Sequence, residues 1–315
     1  MSRQSFGTIA VLMGGYSSER EISLRSGQAV ADALSGEGHR VLPLDLTSDD
    51  TGRIIQQIQE IPIDVAFIAL HGRLGEDGVI QGILEKLEIP YTGSGVKASQ
   101  MAFNKILTQK ALQAAGLPVP PNTCITDGRN VDFKTAWGQI KSTPLVVKAA
   151  CEGSSIGVHI VRHPSEWEPA FKDALGYGPN IIVEQFIKGR EFTAGIFDHE
   201  ALPLVEICPK SNFFSFTAKY QKGATQYVCP AEIPEALTRK IKELSLRAYE
   251  TLGCEGFGRV DLRVDDKEQP FILEVNTIPG FTGTSLFPKA AAQAGYSFVQ
   301  VCERLLDLAL NSRQP

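Results

Sequence analysis

Residues 256–276 read GFGRVDLRVDDKEQPFILEVN and hold two apolar segments separated by a short polar turn. Segments 257–264 and 270–276 both have the length of a strand, and the turn at 265–269 is rich in charged and amide side chains. This arrangement is typical of an antiparallel β-hairpin. The stretch therefore predicts two paired strands in the last third of the chain.

The register of this hairpin determines which polar side chains lie together. With the turn centred midway between the segments, Asp261 faces Glu274. Arg259 then faces Asn276, and all four side chains share one face because a strand has a period of two residues. Carboxylate and amide oxygens are ligands that suit Mg²⁺, and an arginine beside them suits an anionic group. We therefore expect a magnesium site here; a solvated ladder of cross-strand salt bridges is the alternative.

The segment after the hairpin, TIPGFTGTSL at 277–286, is a loop of small residues. Thr284 and Ser285 are placed to start a helix. The N-terminus of a helix offers backbone N–H groups to an anion. This loop therefore strengthens the interpretation of the hairpin as part of an anion-binding site.

Two further segments have features of a nucleotide site. Lys148 ends an apolar strand, and the loop after it is rich in glycine and serine, which suits a cover for phosphates. Segment 181–191, IIVEQFIKGRE, predicts a strand and a turn. Its acids Glu184 and Glu191 are placed for an amino group and ribose hydroxyls, and the backbone of 185–187 for a purine. An ordinary hairpin turn and an edge strand with solvated acids are the alternatives.

The first third of the chain alternates apolar runs at 8–13, 41–46 and 65–70 with amphipathic stretches. This alternation predicts strands joined by helices in a parallel α/β sheet. Ser18 and Glu21 have the spacing of a capping box, which predicts the start of the first helix. The rest of the chain has the mixed pattern of an α+β fold.

Two polar loops follow predicted strands of this sheet, GGYSSERE at 14–21 and LHGRLGEDG at 70–78. Ligands of open α/β sheets bind outside the carboxyl ends of the strands. Glu19 and His71 are therefore candidates for contacting an amino-acid substrate. For His71, a structural hydrogen-bonding role is the alternative.

The composition excludes several classes of protein. The chain has 315 residues with 31 basic and 36 acidic side chains, a net charge of -5, and no run of lysine or arginine, so we expect no nucleic-acid partner. Its six cysteines never form C-x-x-C, which argues against a zinc ribbon or a redox pair. The longest apolar runs are of strand length and the N-terminus lacks an apolar signal core, so we expect no membrane association and a cytoplasmic location.

Taken in order, these segments are similar to the D-alanine–D-alanine ligase family of the ATP-grasp superfamily. The motifs that carry the resemblance are GGYSSEREISLRSG, LHGRLGEDG, MAFNK, VVKAACEGSSIGV, VEQFIKGREFT, AKYQKGATQY, GFGRVDLRVD and LEVNTIPGFTGTSLFP. The resemblance implies an N-terminal parallel α/β domain followed by a two-domain ATP-grasp fold. The implied domains are a substrate domain at 1–98, a central ATP-grasp subdomain at 99–188, and a C-terminal subdomain with metal and substrate sites at 189–315.

The resemblance also implies which residues bind the nucleotide. They are Lys105, Lys148, Ser154, Ser155, Glu184, Gln185, Phe186, Ile187, Glu191 and Lys219. The lysines hold phosphates, Glu184 and the backbone of 185–187 bind adenine, and Glu191 binds ribose. The oxygen ligands of the hairpin, Asp261, Glu274 and Asn276, bind two Mg²⁺ (or Mn²⁺) ions.

For the substrates, the family pattern implies a catalytic set and a binding set. The catalytic set is Glu19, Ser154, Tyr220, Arg259, Gly280 and Ser285. The binding set is Glu19, His71, Ser285 and Leu286. Glu19 holds the ammonium of the first D-alanine near His71, while Ser154 and Tyr220 bond to Glu19 and to one another. Arg259 and the Gly280 N–H stabilise an oxyanion, and Ser285 and Leu286 bind the second D-alanine.

The implied reaction joins two D-alanines through a D-alanyl phosphate formed with ATP, in a cytoplasmic homodimer that serves peptidoglycan precursor synthesis. The loop at 209–230 is expected to close over the intermediate. Ligases that make D-alanyl-D-lactate or D-alanyl-D-serine are the nearest alternatives. A carboxylase-type or purine-pathway enzyme, and a regulatory nucleotide-binding module without catalysis, are more distant ones.

One residue departs from the family pattern. Cys151 stands before EGSS, where many relatives have arginine or another polar residue. A cysteine at this position predicts that the enzyme is sensitive to thiol reagents.

Overall fold

The computed structural model describes residues 5–210 and 224–311. The chain begins with a three-stranded parallel sheet in the order β2-β1-β3. Its strands are β1 (Thr8–Gly14), β2 (Arg40–Leu46) and β3 (Val65–Ile68). Its helices are α1 (Arg20–Gly36), α2 (Thr51–Gln59) and α3 (Val79–Lys86). The predicted parallel α/β arrangement is confirmed.

The start of α1 differs from the capping-box prediction. The helix begins at Arg20 with Glu19 as its N-cap, and the Glu19 side chain caps no backbone N–H group. Its carboxylate instead accepts a hydrogen bond from Ser154 Oγ, far along the chain. The Ser17 hydroxyl accepts from the Glu19 N–H at 3.2 Å. The prediction that Ser18 and Glu21 form the cap is therefore wrong, because Glu19 is turned toward another part of the molecule.

Two helices, α4 (Val96–Phe103) and α5 (Lys105–Ala114), follow the first sheet and meet at Asn104. The Asn104 side chain caps α5 by accepting from the N–H groups of the next turn at 3.1 and 3.3 Å. The break places Lys105 in the first turn of α5, where its N–H donates to Ala150 O at 2.9 Å.

A four-stranded antiparallel sheet forms the middle of the chain, in the order β4-β7-β5-β6. Its strands are β4 (Asn122–Ile125), β5 (Leu145–Ala149), β6 (Val158–Val161) and β7 (Ile181–Gln185). The helices α6 (Phe133–Ile140) and α7 (Trp167–Leu175) pack on it, with a 3₁₀ turn, Pro164–Glu166, before α7. Their contact with the sheet forms a separate apolar core around Trp167 and Phe171.

In the described residues, a six-stranded antiparallel sheet forms the third unit, in the order β11-β10-β8-β12-β13 with β9 beside β8. Its strands are β8 (Gly189–Phe197), β9 (Glu200–Ala201), β10 (Val205–Pro209), β11 (Thr225–Val228), β12 (Phe257–Asp265) and β13 (Pro270–Asn276). Helix α8 (Glu235–Thr251) packs against it and buries Leu237, Ile241 and Tyr249.

The predicted hairpin is strands β12 and β13. Asp261 pairs with Glu274 and Arg259 pairs with Asn276, so the predicted register is confirmed at both positions. Beyond Asp261 the register shifts by one residue, because Leu262 pairs with Ile272. Such a bulge bends a strand and redirects its side chains. The register predicted for the remainder of the hairpin is therefore wrong.

Two helices end the described chain, α9 (Leu286–Gln293) and α10 (Phe298–Asn311). Ser285 is the N-cap of α9, so the predicted helix start is confirmed. Helix α10 packs on α1 and β3, and its apolar side chains join the core of the first sheet. A parallel sheet is stable only when both faces are covered, and this late helix contributes to that cover. The domain boundaries near 98 and 188 stay predictions.

Aromatic side chains join the first and third units around Phe281. The Phe281 ring centroid lies 5.5 Å from that of Phe67 on β3 and 5.5 Å from that of Phe257 on β12. It also lies 5.8 Å from the Phe287 ring and 5.2 Å from the Phe298 ring. This packing anchors the loop between β13 and α9.

Among the described helices, none has the length and apolar character needed to cross a bilayer.

Candidate functional site

Two adjoining pockets contain most of the polar residues singled out above. The strand pocket, about 70 Å³, lies between the four-stranded sheet and the β12–β13 hairpin. The loop pocket, about 750 Å³, lies among loops of all three units. Lys105, Glu152 and Glu274 line both pockets. A molecule that fills the strand pocket can therefore reach into the loop pocket at these three residues.

The strand pocket contains eight of the ten residues predicted to bind a nucleotide. They are Lys105, Lys148, Ser155, Glu184, Gln185, Phe186, Ile187 and Glu191. Ser154 lines the loop pocket instead, and Lys219 lies outside the described residues. Strand pairing brings Lys148 together with Glu184, whereas Lys105 comes from α5 and Glu191 from the other antiparallel sheet.

A buried ion pair lies at the centre of the strand pocket. Lys148 Nζ on β5 is 2.5 Å from Glu184 Oε2 on β7, and Glu184 is only 1% exposed. The other oxygen, Glu184 Oε1, is buried without a hydrogen-bond partner in the described part of the chain. A buried acceptor without a donor is costly. Glu184 Oε1 is therefore positioned to accept from a donor on a bound molecule, such as an amino group.

Backbone groups beside Glu184 are partly used within the protein. The Gln185 N–H donates to Pro121 O at 2.8 Å, and the Phe186 N–H donates to Pro144 O at 3.0 Å. Of the three amides predicted to face a base, that of Ile187 is the one without such a backbone bond in the described residues. Of these three amides, the Ile187 N–H is therefore the backbone donor that remains for a base.

Glu191, the predicted ribose contact, is held by an arginine that sequence reasoning missed. Arg263 donates from Nη1 to Glu191 Oε2 at 2.9 Å and from Nη2 to Gly189 O at 2.7 Å. Its guanidinium lies 5.1 Å from the centroid of the Phe186 ring. Arg263 stands two residues after Asp261 on the same strand face, so the period of β12 was the signal that pointed to it.

Positive side chains hold the acids of the hairpin. Arg259 makes a bidentate pair with Asp261, with N···O distances of 2.8 and 2.7 Å. Lys105 Nζ lies 3.5 Å from Glu274 Oε2 and donates to Glu152 O at 2.5 Å. The structure thus brings the predicted metal ligands together with two cations at the junction of the pockets.

The donor set fits a hard cation by its chemistry. Asp261 and Glu274 supply carboxylate oxygens, and Asn276 supplies an amide oxygen that accepts from the Ile278 N–H at 2.9 Å. No group of three or more His, Cys, Asp or Glu side chains able to hold a metal occurs at 5–210 and 224–311. A metal at this hairpin would therefore depend on Asn276 and on atoms of its substrate as well as on the two acids.

In the loop pocket, Glu19 meets the glycine-rich loop that follows β5. Ser154 Oγ donates to Glu19 Oε1, and Glu19 is 8% exposed. A Cβ atom on Gly153 would collide with Glu19 Oε2, so this approach requires glycine. Ser154 and Ser155 both adopt positive φ angles, 51° and 60°. The predicted contact of Ser154 with Glu19 is present, while Tyr220, predicted to join it, lies outside the described residues.

Both ring nitrogens of His71 have protein partners. The ring is 3% exposed, with Nδ1 at 3.0 Å from Ile278 O and Nε2 at 3.0 Å from Ser26 Oγ. Nδ1 also lies 3.6 Å from Glu76 Oε1. A carbonyl oxygen only accepts, so Nδ1 carries a proton, and in the neutral ring Nε2 accepts from the Ser26 hydroxyl. This is the structural role weighed for His71 above; its contact with a substrate stays a prediction.

The remaining predicted substrate residues lie at the start of α9. Ser285 Oγ accepts from the Thr282 N–H at 3.1 Å, lies 2.9 Å from Thr282 Oγ1 and caps no N–H group of α9. Gly280 lines the same wall of the loop pocket. Leu286 packs beside Ile207 and Tyr227 and gives this end an apolar surface. These residues are suited to a small molecule with a carboxylate and a short apolar side chain.

Sequence reasoning missed several polar residues of the loop pocket. Arg25, Glu76, Glu152, Tyr227 and Lys289 all line it. Lys289 Nζ lies 4.9 Å from the centroid of the Tyr227 ring. Lys289 stands four residues after Ser285, one helical turn into α9, so the predicted helix start contained the signal for it. Tyr227 comes from β11, and the sequence held no comparable signal for its place.

Comparison with known proteins assigns the family. Residues 8–60 and 50–94 match the model of the D-ala D-ala ligase N-terminus, and residues 111–307 match that of the D-ala D-ala ligase C-terminus. A D-alanine–D-alanine ligase from Desulforudis audaxviator is 47% identical over 305 residues, which cover 96% of this chain and 98% of that protein. These matches extend over both the loops and the strands described above.

Solved structures are similar as well. The D-alanine–D-alanine ligase from Bacillus anthracis complexed with ATP has a TM-score of 0.85 and 32% identity, covering 97% of this chain and 98% of the other. The VanG D-Ala:D-Ser ligase from Enterococcus faecalis has a TM-score of 0.81 and 28% identity, covering 97% and 100%. The predicted fold, a parallel α/β domain followed by a two-domain ATP-grasp fold, is confirmed. With both family models matched, this chain belongs to the D-alanine–D-alanine ligase family.

Proposed function

We propose that this chain joins two D-alanine molecules into D-alanyl-D-alanine, with ATP converted to ADP and phosphate. The observation that carries the proposal is the junction of the two pockets at Lys105, Glu152 and Glu274. A nucleotide in the strand pocket places its terminal phosphate at this junction. A carboxylate in the loop pocket meets it there, as phosphoryl transfer requires.

The strand pocket suits ATP in three respects. Glu184 Oε1 accepts from the amino group of adenine, and the Ile187 N–H donates to the ring. Glu191, held by Arg263, is oriented toward ribose hydroxyls. Lys148 and Lys105 direct positive charge at the phosphates, and Ser155 adds a donor beside them.

Asp261, Glu274 and Asn276 present the oxygen atoms that hold Mg²⁺ or Mn²⁺, and we propose two ions, as the family resemblance implies. Such ions supply charge neutralisation for the phosphates when bound. A cation held by the Asp261 carboxylate would compete with Arg259 for its oxygen atoms, which would leave part of the Arg259 guanidinium for other anions. Arg259 is thereby available at the loop pocket.

Amide bond formation faces two obstacles, since a carboxylate is a poor electrophile and an ammonium group is no nucleophile. Glu19 binds the ammonium of the first D-alanine and fixes its carboxylate near Lys105. The carboxylate attacks the terminal phosphorus of ATP, giving D-alanyl phosphate and ADP. The second D-alanine, after losing a proton, attacks the activated carbonyl carbon. Arg259 and the Gly280 N–H stabilise the oxyanion, and phosphate then leaves.

The acceptor end of the loop pocket favours D-alanine over D-serine. Ser285 and the N-terminus of α9 receive the carboxylate of the second substrate, and Leu286 contacts its methyl group. A hydroxyl against Leu286, Ile207 and Tyr227 would lose water without gaining a partner from these apolar surfaces. D-serine is therefore a competitor to test. D-lactate, which has the methyl group of D-alanine and a hydroxyl in place of its amino group, is a second one.

Four further statements belong to this proposal. The protein acts in the cytoplasm on peptidoglycan precursors, and it is a homodimer; the family resemblance supports both. The chain divides into domains at 1–98, 99–188 and 189–315. Lys219, Tyr220 and the rest of the loop predicted to close over the site fall within 211–223, outside the described residues. Closure by this loop would protect the acyl phosphate from water.

The test measures ADP, phosphate and dipeptide formed from ATP and D-alanine with Mg²⁺, and compares D-serine and D-lactate as acceptors. Glu274→Gln removes the charge at the junction and is expected to lower kcat about 10²- to 10³-fold. Glu268→Gln, an exposed position in the turn of the same hairpin, is the matched control and keeps full activity. Phosphate release without D-alanine, or an unimpaired Glu274→Gln enzyme, would overturn the proposal.

A further inference from the structure

A buried serine on α1 holds the loop that carries Gly280. Ser26 Oγ lies 3.0 Å from His71 Nε2 and accepts from the Phe281 N–H at 3.2 Å. His71 continues the contact, because its Nδ1 donates to Ile278 O at 3.0 Å. Ser26 is 0% exposed, so water cannot replace these bonds. Two residues of the first unit thus bind the loop backbone at 278 and at 281.

These two points of attachment lie on either side of Gly280. The carbonyl of Ile278 is two residues before it, and the N–H of Phe281 belongs to the next peptide. The Phe281 side chain is itself fixed between Phe67 and Phe257. Only Pro279 and Gly280 lie between the attachments, so the segment has little length in which to shift while both persist. The direction of the Gly280 N–H group is therefore set from α1 and from the loop after β3.

We infer that Ser26 is a positioning residue for the second half of the reaction: with His71 it orients the Gly280 N–H toward the oxyanion. The inference rests on the proposed function. Ser26 does not line either pocket, so it acts through the loop backbone. The junction residues at Lys105 and Glu274 are not bonded to this serine, so formation of the acyl phosphate does not depend on it.

Loss of the hydroxyl therefore separates the two halves of the reaction. In Ser26→Ala, His71 Nε2 and the Phe281 N–H lose their common partner, and the Gly280 N–H is no longer fixed. D-alanyl phosphate still forms, but attack by the second D-alanine slows and water competes. Water attacks the phosphorus of the acyl phosphate, and this attack forms no oxyanion at the carbonyl, so it does not need the Gly280 N–H. The bond from phosphorus to the acyl oxygen breaks, and D-alanine, phosphate and a proton are released. More than one ADP is then formed for each dipeptide.

The chain offers a matched control one helical turn away. Ser23 is also 0% exposed on α1; its hydroxyl donates to Ala69 O at 2.8 Å and accepts from the Gly14 N–H at 2.9 Å. Ser23→Ala therefore removes a hydroxyl with two bonds from the same helix, but its partners belong to the first sheet. It lowers stability without releasing the loop around Gly280.

The experiment measures the ratio of ADP to dipeptide, with kcat and the KM for each D-alanine, in wild type, Ser26→Ala and Ser23→Ala. We expect a ratio of one in wild type and Ser23→Ala. In Ser26→Ala we expect a ratio clearly above one, a kcat about tenfold lower, and an unchanged KM for the first D-alanine. A rise in that KM with a ratio of one would mean that the serine acts on substrate binding, and would overturn the inference.

Other outcomes are equally decisive. Ratios of one in both variants, or a matching rise in both, overturn the positioning role, since neither distinguishes Ser26 from Ser23. If Ser26→Ala does not fold, Ser26→Cys keeps the size with a weaker donor, and a ratio of one there also overturns it. A wild type that forms no ADP in response to D-alanine refutes the proposed function itself.

Discussion

The strand pocket and the loop pocket differ in how their residues are brought together. In the strand pocket, Lys148 reaches Glu184 across paired strands, and Arg263 reaches Glu191 in the same way. In the loop pocket, Glu19 meets Ser154 across 135 residues of sequence. The ion pairs of the strand pocket are products of pairing within one sheet, whereas this contact of the loop pocket depends on how separate units pack.

This difference has consequences for stability and for activity. The charged groups of the strand pocket are buried in pairs, so removing one partner lowers the free energy of unfolding. In the loop pocket, Glu19, Ser154 and Gly280 sit on connecting segments or at a helix end, so small displacements there alter catalysis more than stability. Four substitutions or reagents test this contrast, beginning with the largest expected effect.

Lys148→Ala tests the buried pair of the strand pocket. Glu184, 1% exposed, loses its cation, and leaving one charge unpaired in this way costs about 3–5 kcal/mol of unfolding free energy. Both tryptophans, Trp137 and Trp167, lie in the helices on this sheet, so urea unfolding followed by their fluorescence reports on the affected unit.

The control for this change is Lys188→Ala. Lys188 also faces an acid, Asp266, at 3.8 Å, but the two side chains are 85% and 73% exposed. Exposed ion pairs contribute little to stability, so the free energy of unfolding should not change measurably. Equal effects of the two substitutions would contradict the contrast between the pockets.

Gly153→Ala tests the loop pocket. The new Cβ collides with the Glu19 carboxylate, which has to leave its position beside Ser154, while the fold itself has room to persist. We expect kcat/KM for the first D-alanine to fall about tenfold to a hundredfold, with ATP affinity and Tm nearly unchanged. Steady-state kinetics and nucleotide binding measure the two effects separately.

For this substitution, Gly138→Ala in α6 is the control, because its Cβ meets no atom within 4 Å. It should keep full activity and gain slightly in stability, as alanine does over glycine in a helix. Loss of ATP binding in Gly153→Ala would show that the two pockets are not separable in this way.

Inosine triphosphate tests the role of Glu184 Oε1, the buried oxygen of the strand pocket that has no hydrogen-bond partner in the described residues. Its base has an oxo group where adenine has the amino group, so Glu184 Oε1 would face another acceptor. We expect kcat/KM about tenfold lower than with ATP, because one buried acceptor stays without a donor. The KM for D-alanine should be the same with both nucleotides. Equal kcat/KM values for the two nucleotides would mean that the base does not bind beside Glu184.

Alkylation of Cys151 gives the smallest effect. Burial raises the pKa of this half-buried thiol, against the opposing influence of Lys105 and Arg73. The thiolate is the reactive form, so the alkylation rate stays low at neutral pH and increases as pH rises through the raised pKa. Iodoacetamide labelling followed by mass spectrometry measures this rate, with Cys254, whose pKa burial raises to about 12, as a slower internal reference.

Modification at Cys151 should then slow the enzyme a few-fold, because the neighbouring Glu152 carbonyl holds Lys105 Nζ. Labelling confirmed at Cys151 with an unchanged rate would contradict the predicted sensitivity to thiol reagents. Fast labelling at neutral pH would contradict the effect of burial.

The local sequence pattern predicted the two strands of the hairpin and the first part of their register, but not the bulge. The pairs of Asp261 with Glu274 and of Arg259 with Asn276 followed from strand length and turn position. The bulge beyond them was not predictable, because Leu273 is apolar and fits either register. The cap of α1 was mispredicted for a related reason. The segment around Glu19 has the composition of a helix cap. The Glu19 carboxylate, however, accepts a hydrogen bond from Ser154 and caps no N–H group of the helix.

By itself, the sequence determined the strands, their polar faces and therefore the cross-strand pairs of the strand pocket. Periodicity and pairing act between near neighbours, and the chain encodes them locally. The tertiary structure alone decided that Glu19 meets Ser154 and that Ser26 and His71 hold the loop around Gly280. Those contacts depend on apolar packing between units, such as that around Phe281, which no local pattern of residues specifies.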